Sequence, residues 1–360
     1  MLKDEKIEDE LLQVLRKVAP GTPLRDGMEN ILRAKTGALI VIGDSPEVMN
    51  ISEGGFEINA DFTPASLYEL AKMDGAIIIS EDTKQIIAAN KQLIPDLLIP
   101  STETGIRHRT AERVAKQSVE LVISVSQRRG VITLYKGSLK YVLKDIGVIL
   151  AKANQAIQTL EKYRSVLDQV VLELSNLEFL DSVSLYDVTK AIQRVEMVMR
   201  VVKEIERYTS ELGVEGRLIT MQMEELVSNV EVEGLLIIQD YTTDVEKSPE
   251  SIFEMINSWP AEDLLDFALI ARALGYSGGQ SILEQNVTPR GYRVLRKIPR
   301  LPVPVIENLV DSFGTLQHIL RASIEQLDDV EGIGEVRARS IKEGLRRYRD
   351  KLIQDRFTNY

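Results

Sequence analysis

This chain of 360 residues has no cysteine, one tryptophan, two histidines and only 5% aromatic residues. Each scarcity removes a class of chemistry. Without cysteine there are no disulfides, no thiolate metal sites and no cysteine nucleophile, a composition that sits easily in a reducing cytoplasm. Trp259 stands alone and offers no platform on which nucleic-acid bases could stack. No stretch approaches the roughly 18 consecutive apolar residues of a membrane span. The N-terminal segment MLKDEKIEDELLQVLRK is charged from residue 3 onward and has no apolar signal core. Its acidic cluster KDEKIEDE reads as a solvated helix end. No G-x-x-x-x-G-K-[ST] motif occurs, which argues against a P-loop nucleotidase. The expectation is a soluble, cytoplasmic protein.

The residues that are present are unevenly spread. With 44% apolar and 28% charged residues the composition is that of an ordinary folded protein, and 360 residues imply two or three domains. The formal net charge is -11. Residues 288–360 nevertheless hold 14 Lys+Arg against 10 Asp+Glu, a net of +4, which leaves -15 for residues 1–287. An acidic body with a basic end points to a polyanion as partner of the last ~70 residues.

Periodicity divides the chain at about residues 137 and 287. In 1–137, GALIVIG (37–43), GAIIIS (75–80), LVISVS (121–126) and VITLYKG (131–137) are short, β-branched runs expected as strands. IEDELLQVLRKVA, LRDGMENILRA, PASLYELAKM (64–73) and RHRTAERVAKQ (107–117) have helical spacing. The prediction is a mixed α/β domain with flanking helices. From Ser138 the pattern of three- and four-residue apolar intervals predicts one helix of roughly 40 residues, about 60 Å long, followed by more helices. Residues 138–287 are therefore expected as an all-α spine suited to spacing or oligomerisation, and 288–360 as a separate all-α domain of short helices.

Within that last domain, LDDVEGIGEVRARSIKEGL (327–345) resembles a helix-hairpin-helix. Gly332 and Gly334 would bring backbone N–H groups close to a phosphate at a helix start. Ile333 would point inward as the anchor, while Arg337, Arg339 and Lys342 add longer-range attraction. Such contacts go to the DNA backbone, so binding is expected to be blind to sequence and sensitive to salt. An ordinary helical hairpin with glycine caps has the same spacing. The preceding IPRLPVPVIENLVDSFGTLQHIL looks like a degenerate partner hairpin.

The stretch TGIRHRTAERVAK (104–116) sets Arg107, His108 and Arg109 at a helix start, the positive end of the macrodipole, where cations are disfavoured. A ligand more negative than a carboxylate resolves the conflict. Arginines fork onto phosphate oxygens, His108 can donate to one, and Thr110 adds a hydroxyl. Asp74 precedes a strand and is followed by Gly75, which permits close approach of a ligand. One carboxylate for a divalent metal and a cationic helix start are what a nucleoside triphosphate site requires. An Asp-Gly pair is also a common turn, and a basic triplet is also a common solvated face; the residues alone leave both readings open.

GTPLRDGMENILRAKTGALIVIG, MDGAIIIS and STETGIRHRTAERVAK together resemble the diadenylate cyclase family. Over its full length, helical spine and terminal hairpin included, the chain is similar to the DNA-integrity-scanning members of that family. The resemblance implies condensation of two ATP into cyclic di-AMP with release of two pyrophosphates, and a requirement for Mg2+ or Mn2+. It implies that Asp74 holds the metal and helps to position the attacking 3′-hydroxyl. Gly75, Ala76 and Leu93 would line the nucleotide pocket, and Ile106, Arg107, His108, Arg109 and Thr110 would embrace the phosphates. Ser126 would also touch phosphate, although Gln127 stands where relatives are expected to carry an acid.

Each site would hold one ATP, so the ring closes only between two facing sites, and the family's homooctamer supplies them. The resemblance further implies a terminal domain that binds branched DNA such as Holliday junctions and lowers cyclase output. It implies action in DNA damage checkpoint and repair, in the cytoplasm and at the nucleoid. Two functions stay open: a metal-dependent nucleotidyltransferase regulated by DNA, and a DNA-structure-binding protein whose N-terminal domain only senses nucleotide. Intact Asp74 and Arg107-His108-Arg109 favour the first. GYSGG (275–279) matches the G-x-S-x-G nucleophile elbow, but a helical segment precedes it where the elbow needs a strand. His318 reads as a surface or hairpin-packing residue.

Overall fold

Short β-branched runs pack best on a pleated surface buried on both sides, which is what ALIVI and AIII require. In the computed structural model, which describes residues 2–244 and 246–358, they form the centre of a sheet. Residues Met1–Gln155 and Ile205–Met221 make one unit, and Ala156–Glu204 with Gln222–Tyr360 make the other.

The first unit begins with α1 (Leu2–Lys17) and α2 (Pro23–Arg33), then β1 (Ala38–Ile42), α3 (Pro46–Asn50), β2 (Ser52–Glu53) and β3 (Phe56–Asp61). It continues with α4 (Pro64–Leu70), β4 (Ala76–Ile79), β5 (Gln85–Leu93), α5 (Ile106–Ser118), β6 (Leu121–Ser126), β7 (Val131–Lys136) and β8 (Leu139–Val142). Helices α2 and α4 start alike: Thr22 and Thr63 accept from the N–H groups of Arg25 and Ser66, with proline in the first helical turn. The eight strands run in the order β2-β5-β4-β1-β6-β7-β8, with β3 also on β5. Among the described residues only β1 and β4 pair in parallel.

The two-residue period sends alternate side chains of β1 to opposite faces. Ala38, Ile40 and Ile42 join Leu24, Met28, Ile31 and Leu67 under α2 and α4. Leu39 and Val41 join Ala111, Val114 and Ala115 of α5. Each fully buried Val, Leu or Ile among these contributes about 1.5–3 kcal/mol relative to exposure, and each alanine methyl less, so α5 is fixed on the sheet by its apolar face.

The helix expected from Ser138 starts later. Residues 139–142 alternate half-buried Leu139 and Tyr141 with exposed Lys140 and Val142, and pair with β7 as β8. That period of two outweighs helical propensity, and the Tyr141 hydroxyl donates to Glu211 at 2.7 Å. Helix α6 (Ile146–Leu180) then runs for 35 residues, followed by α7 (Leu185–Leu212), α8 (Arg217–Val227) and α9 (Val230–Tyr241). Helices α8 and α9 part at Asn229, whose φ is 67°.

The second unit is helical and includes α10 (Pro249–Asn257), α11 (Phe267–Ala273), α12 (Tyr292–Arg296), α13 (Val303–Phe313), α14 (Leu316–Arg321), α15 (Ile324–Asp328) and α16 (Glu335–Thr358). Its last five helices share a core built from residues such as Leu295, Leu309, Leu316, Leu327 and Ile341. A buried polar joint adjoins that core. The fully buried Arg293 guanidinium pairs with Glu178, with Glu233 at 2.9 Å, and donates to Ser175 at 3.0 Å. The Asp240 carboxylate accepts the N–H groups of Gly291, Tyr292 and Arg293 at 2.8, 2.7 and 3.0 Å, fixing the start of α12.

Candidate functional site

Register brings the ends of four neighbouring strands to one edge of the sheet. Leu39 pairs with Ala76, Ala76 with Lys91, and Ala38 with Val125. Asp74 two residues before Ala76, Gly37 just before β1, Leu93 at the end of β5 and Ser126 at the end of β6 therefore lie along the same edge. Gly75 makes the approach possible. Its φ is +95°, and a Cβ there would sit 2.8 Å from the Asn90 carbonyl carbon. Ala76 is fully buried, whereas Asp74 is exposed, with no hydrogen-bond or ion-pair partner among the described residues.

Helix α5 delivers the cations to this edge. Gly105 caps it without a side-chain bond, and its first turn contains no acidic residue. The free N–H groups and the helix dipole therefore add to the charges of Arg107 and Arg109. The Arg107 guanidinium lies across Gly37: a Cβ on Gly37 would collide with it, with Cζ 2.9 Å away. Arg109 donates to the Thr104 carbonyl at 3.2 Å and stays exposed. Ile106 is 83% exposed and Thr110 half-buried.

His108 turns inward. Its Nδ1 is 2.9 Å from the Tyr135 hydroxyl, which itself donates to Glu103 at 2.9 Å, and Lys140 pairs with Glu103 at 2.5 Å. Burial would raise the Glu103 carboxyl, but Lys140 and Tyr135 outweigh it and hold the group below its ordinary range. Glu103 is thus ionised and takes the only Tyr135 proton, so His108 must be the donor from Nδ1. Burial pushes the His108 imidazole below its ordinary value against the pull of Glu103, with Arg129 and Arg107 assisting. The neutral ring leaves Nε2 as an acceptor, and that atom is buried without a partner. Donation from His108 to a phosphate would require a second proton.

The loop ahead of α5 is held by the helix behind it. Arg113 donates to the Ile99 carbonyl at 2.9 Å and Lys116 to that of Pro100 at 2.8 Å. The buried Glu112 carboxylate accepts from Ser101 at 2.5 Å and the Thr102 N–H at 3.0 Å, and pairs with Lys116 at 2.7 Å. Burial opposes ionisation of Glu112, but these partners hold its carboxyl below the usual range. Glu103, Glu112, Tyr135, Lys140 and Gly37 were not visible as site residues in the sequence. Tyr135 and Lys140 come from β7 and β8, far along the chain, and although Glu103, Glu112 and Gly37 fall inside the stretches that carry the resemblance, nothing local shows what they touch.

The terminal hairpin is formed by the turn between α15 and α16. Gly332 has φ +80°, which a side-chain-bearing residue adopts with difficulty, and Ile333 is buried in the core of the last five helices. Arg337 donates to the Gly332 carbonyl and Arg339 pairs with Glu335; both are exposed. Lys342 differs: its Nζ donates to the Leu320 carbonyl at 2.8 Å, and partial burial lowers its pKa. It closes the end of α14 rather than standing free. Ser277 follows helix α11 instead of a strand, which removes the nucleophile elbow. The Nδ1 atom of His318 lies 2.8 Å from the Phe313 carbonyl, a local packing role.

Among the described residues no three His, Asp or Glu side chains converge as a metal cage. The single free carboxylate of Asp74 fits a different arrangement, in which Mg2+ keeps several waters and is shared with substrate phosphates.

Comparisons with known proteins bear on the whole chain. The model described as DisA bacterial checkpoint controller nucleotide-binding matches residues 25–139, and that of the DisA checkpoint controller linker region matches 143–283. The helix-hairpin-helix motif matches 315–344. The DNA integrity scanning protein DisA of Carboxydothermus hydrogenoformans is 66% identical over 360 residues, covering 100% of this chain and 99% of that protein. The protein of the same name from Symbiobacterium thermophilum is 58% identical over 345 residues, covering 96% and 97%. Among solved structures, a double mutant of DacA from Staphylococcus aureus aligns with a TM-score of 0.28 at 24% identity, covering 39% of this chain and 90% of that one.

Proposed function

Because this chain belongs to the bacterial DNA integrity scanning family, with a diadenylate cyclase domain and a helix-hairpin-helix, we propose that it condenses two ATP into cyclic di-AMP under the control of branched or damaged DNA. The observation that carries the reading is the sheet edge where Asp74, Leu93, Ser126 and, across Gly37, Arg107 meet.

In the reaction the 3′-oxygen of one ATP attacks the α-phosphorus of another. The new P–O bond replaces the bond to pyrophosphate, the hydroxyl proton is lost, and a second such step closes the ring. Little covalent chemistry falls to the protein, so orientation and charge neutralisation supply most of the rate. Arg107, Arg109 and the free N–H groups at the start of α5 grip phosphate oxygens. Gly75, Ala76, Leu93, Ile106 and Thr110 shape the nucleotide pocket. His108, locked by Tyr135, offers Nε2 as an acceptor for a hydroxyl or amino proton of the nucleotide. Asp74 would hold Mg2+ or Mn2+, which when bound neutralises charge on the phosphates.

One site holds one ATP, so ring closure needs two facing sites and hence an oligomer, for which the family's octamer is the expected form. Residues 1–137 act as the cyclase domain, 138–287 as the spine and 288–360 as the DNA-binding domain. The hairpin at Gly332, Ile333 and Gly334, with Arg337 and Arg339 beside it, grips the DNA backbone without reading sequence. The cytoplasm, at the nucleoid, is the compartment where ATP and DNA are both present.

The test is to incubate purified protein with ATP and Mg2+ or Mn2+ and to look for cyclic di-AMP by chromatography and mass, with Asp74→Ala alongside. Product from the wild type alone supports the reading. A folded oligomer that makes none with either metal would leave a nucleotide-sensing domain attached to a DNA-binding protein.

A further inference from the structure

The segment ahead of the terminal hairpin repeats it at a fixed offset of 32 residues. Leu295 and Leu327, Ile298 and Val330, and Ile306 and Ala338 are buried pairs in one core. The backbone repeats as well. The Ile298 N–H donates to the Leu295 carbonyl at 3.0 Å, as Val330 does to Leu327 at 3.3 Å. Ile306 donates to the Pro302 carbonyl at 3.2 Å, as Ala338 does to Gly334 at 2.9 Å. Arg300 has φ 60° where Gly332 has φ 80°. The turn between α12 and α13 is thus a second hairpin of the same construction.

Its chemistry differs at the tip. Pro302 stands where Gly334 stands and supplies no N–H, so this copy cannot grip a phosphate through the same set of backbone donors. Helix α13 is acidic rather than basic, with Glu307 and Asp311. Cations come instead from the tip and from a neighbouring helix. Exposed Arg300 has no ion-pair or hydrogen-bond partner among the described residues; it shares a groove with Lys351 of α16 and with Arg347 and Lys297, the last two already paired with Glu343 and Glu233. A left-handed backbone at an arginine is unfavourable for folding, and Arg300 is exposed at this turn.

We propose that Arg300 is a DNA-phosphate contact, the side chain substituting at the first hairpin for the N–H donors used at the second. The domain then meets the backbone at two points of unlike chemistry, one through the amides of Gly332 and Gly334 and one through the guanidinium, with Lys351 alongside. This rests on the reading that the terminal domain binds DNA.

The experiment measures binding of the full-length oligomer to a four-way junction over a series of salt concentrations, for wild type, Arg300→Gly and Arg300→Lys. Arg300→Gly relieves the left-handed strain, so thermal stability and DNA-free cyclase rate should hold. Affinity should fall roughly tenfold, and the slope of log K against log salt should become shallower by about one, the loss of one phosphate contact. Arg300→Lys should retain the slope. Wild-type affinity and slope in a folded Arg300→Gly would overturn the assignment while leaving DNA binding intact. A wild-type protein that binds no junction would instead sink the DNA reading, and this contact with it.

Discussion

The Nδ1 atom of His108 lies 2.9 Å from the hydroxyl of Tyr135, and that hydroxyl is already committed as a donor to Glu103. The pair therefore has one proton arrangement, with the histidine donating. Tyr135→Phe removes the acceptor and frees the imidazole to rotate or change tautomer. The expected result is a loss of about tenfold in kcat with a smaller change in KM, the size of one positioning hydrogen bond. Nitrogen NMR of the 15N-histidine-labelled chain reports the tautomer directly, and with only two histidines the signals can be assigned by His318→Asn. An unchanged tautomer in Tyr135→Phe would refute the lock.

The same arrangement sets a pH dependence. The His108 pKa in the folded protein is lowered from its ordinary value of 6.5, chiefly by burial. The folded state then binds fewer protons than the unfolded one as pH falls below 6.5. Its contribution to stability is complete above that value and diminishes as pH drops through it toward the folded pKa. The neutral acceptor at Nε2 is lost over the same acid range, at lower pH than for a free imidazole. A kcat–pH profile should show an acid limb below 6.5, and His108→Gln should abolish that limb.

Gly37 supplies a test of Arg107 that leaves Arg107 in place. A methyl group at residue 37 meets the end of a flexible side chain rather than backbone, so the sheet has no need to move. Gly37→Ala should displace the guanidinium, raise KM for ATP several-fold and reproduce part of the Arg107→Ala defect. Steady-state kinetics of the two variants, with circular dichroism to check the fold, decide the point. Normal kinetics in Gly37→Ala would show that the position of Arg107 across Gly37 does not matter.

Val119 closes α5 with φ 60° and is 59% exposed. A β-branched residue in the left-handed region costs about 1–2 kcal/mol, while glycine adopts it freely. Val119→Gly should raise stability by about 1 kcal/mol after allowing for the greater entropy of the unfolded glycine. Denaturant unfolding checks it, and a destabilised variant would contradict the assignment.

Arg293 is the most demanding buried group. Its truncation to alanine strips the fully buried Glu178 carboxyl, already raised by burial, of its counter-charge and leaves it the Tyr241 hydroxyl at 2.9 Å. A loss of about 3–5 kcal/mol is expected. Replacing Arg293 and Glu178 together by apolar residues should recover much of it. If Arg293→Ala unfolds at the wild-type denaturant midpoint, the joint contributes nothing.

Much of the architecture was legible because its signals are local. Strands β1, β4, β6 and β7 carry dense β-branched runs, and α2 and α4 carry Thr-Pro starts, so each could be assigned from a window of a few residues. Strands β3 and β5 were not. FEINAD is mostly exposed and polar, and QIIAANKQL is bulged against β4, with Asn90 at φ 54°, so neither has a clean alternation. Strand β8 was hidden in a helical-looking run because four residues of alternation cannot outweigh the pattern that follows them.

Residue chemistry in the sequence singled out as candidates the carboxylate at Asp74, the cations at Arg107 and Arg109, and the glycine hairpin at 332–334, since these are short motifs whose types and spacing can be read without a structure. The tertiary structure alone decided which groups meet. Strand register set Asp74, Leu93 and Ser126 on one edge, and the absence of a Cβ at Gly37 let Arg107 reach it. Packing turned His108 toward Tyr135 and engaged Lys342 with the carbonyl of Leu320. It left Arg300 exposed at the tip of its turn. Proton placement, ion pairing and exposure depend on neighbours tens of residues away in the chain, and no local pattern encodes them.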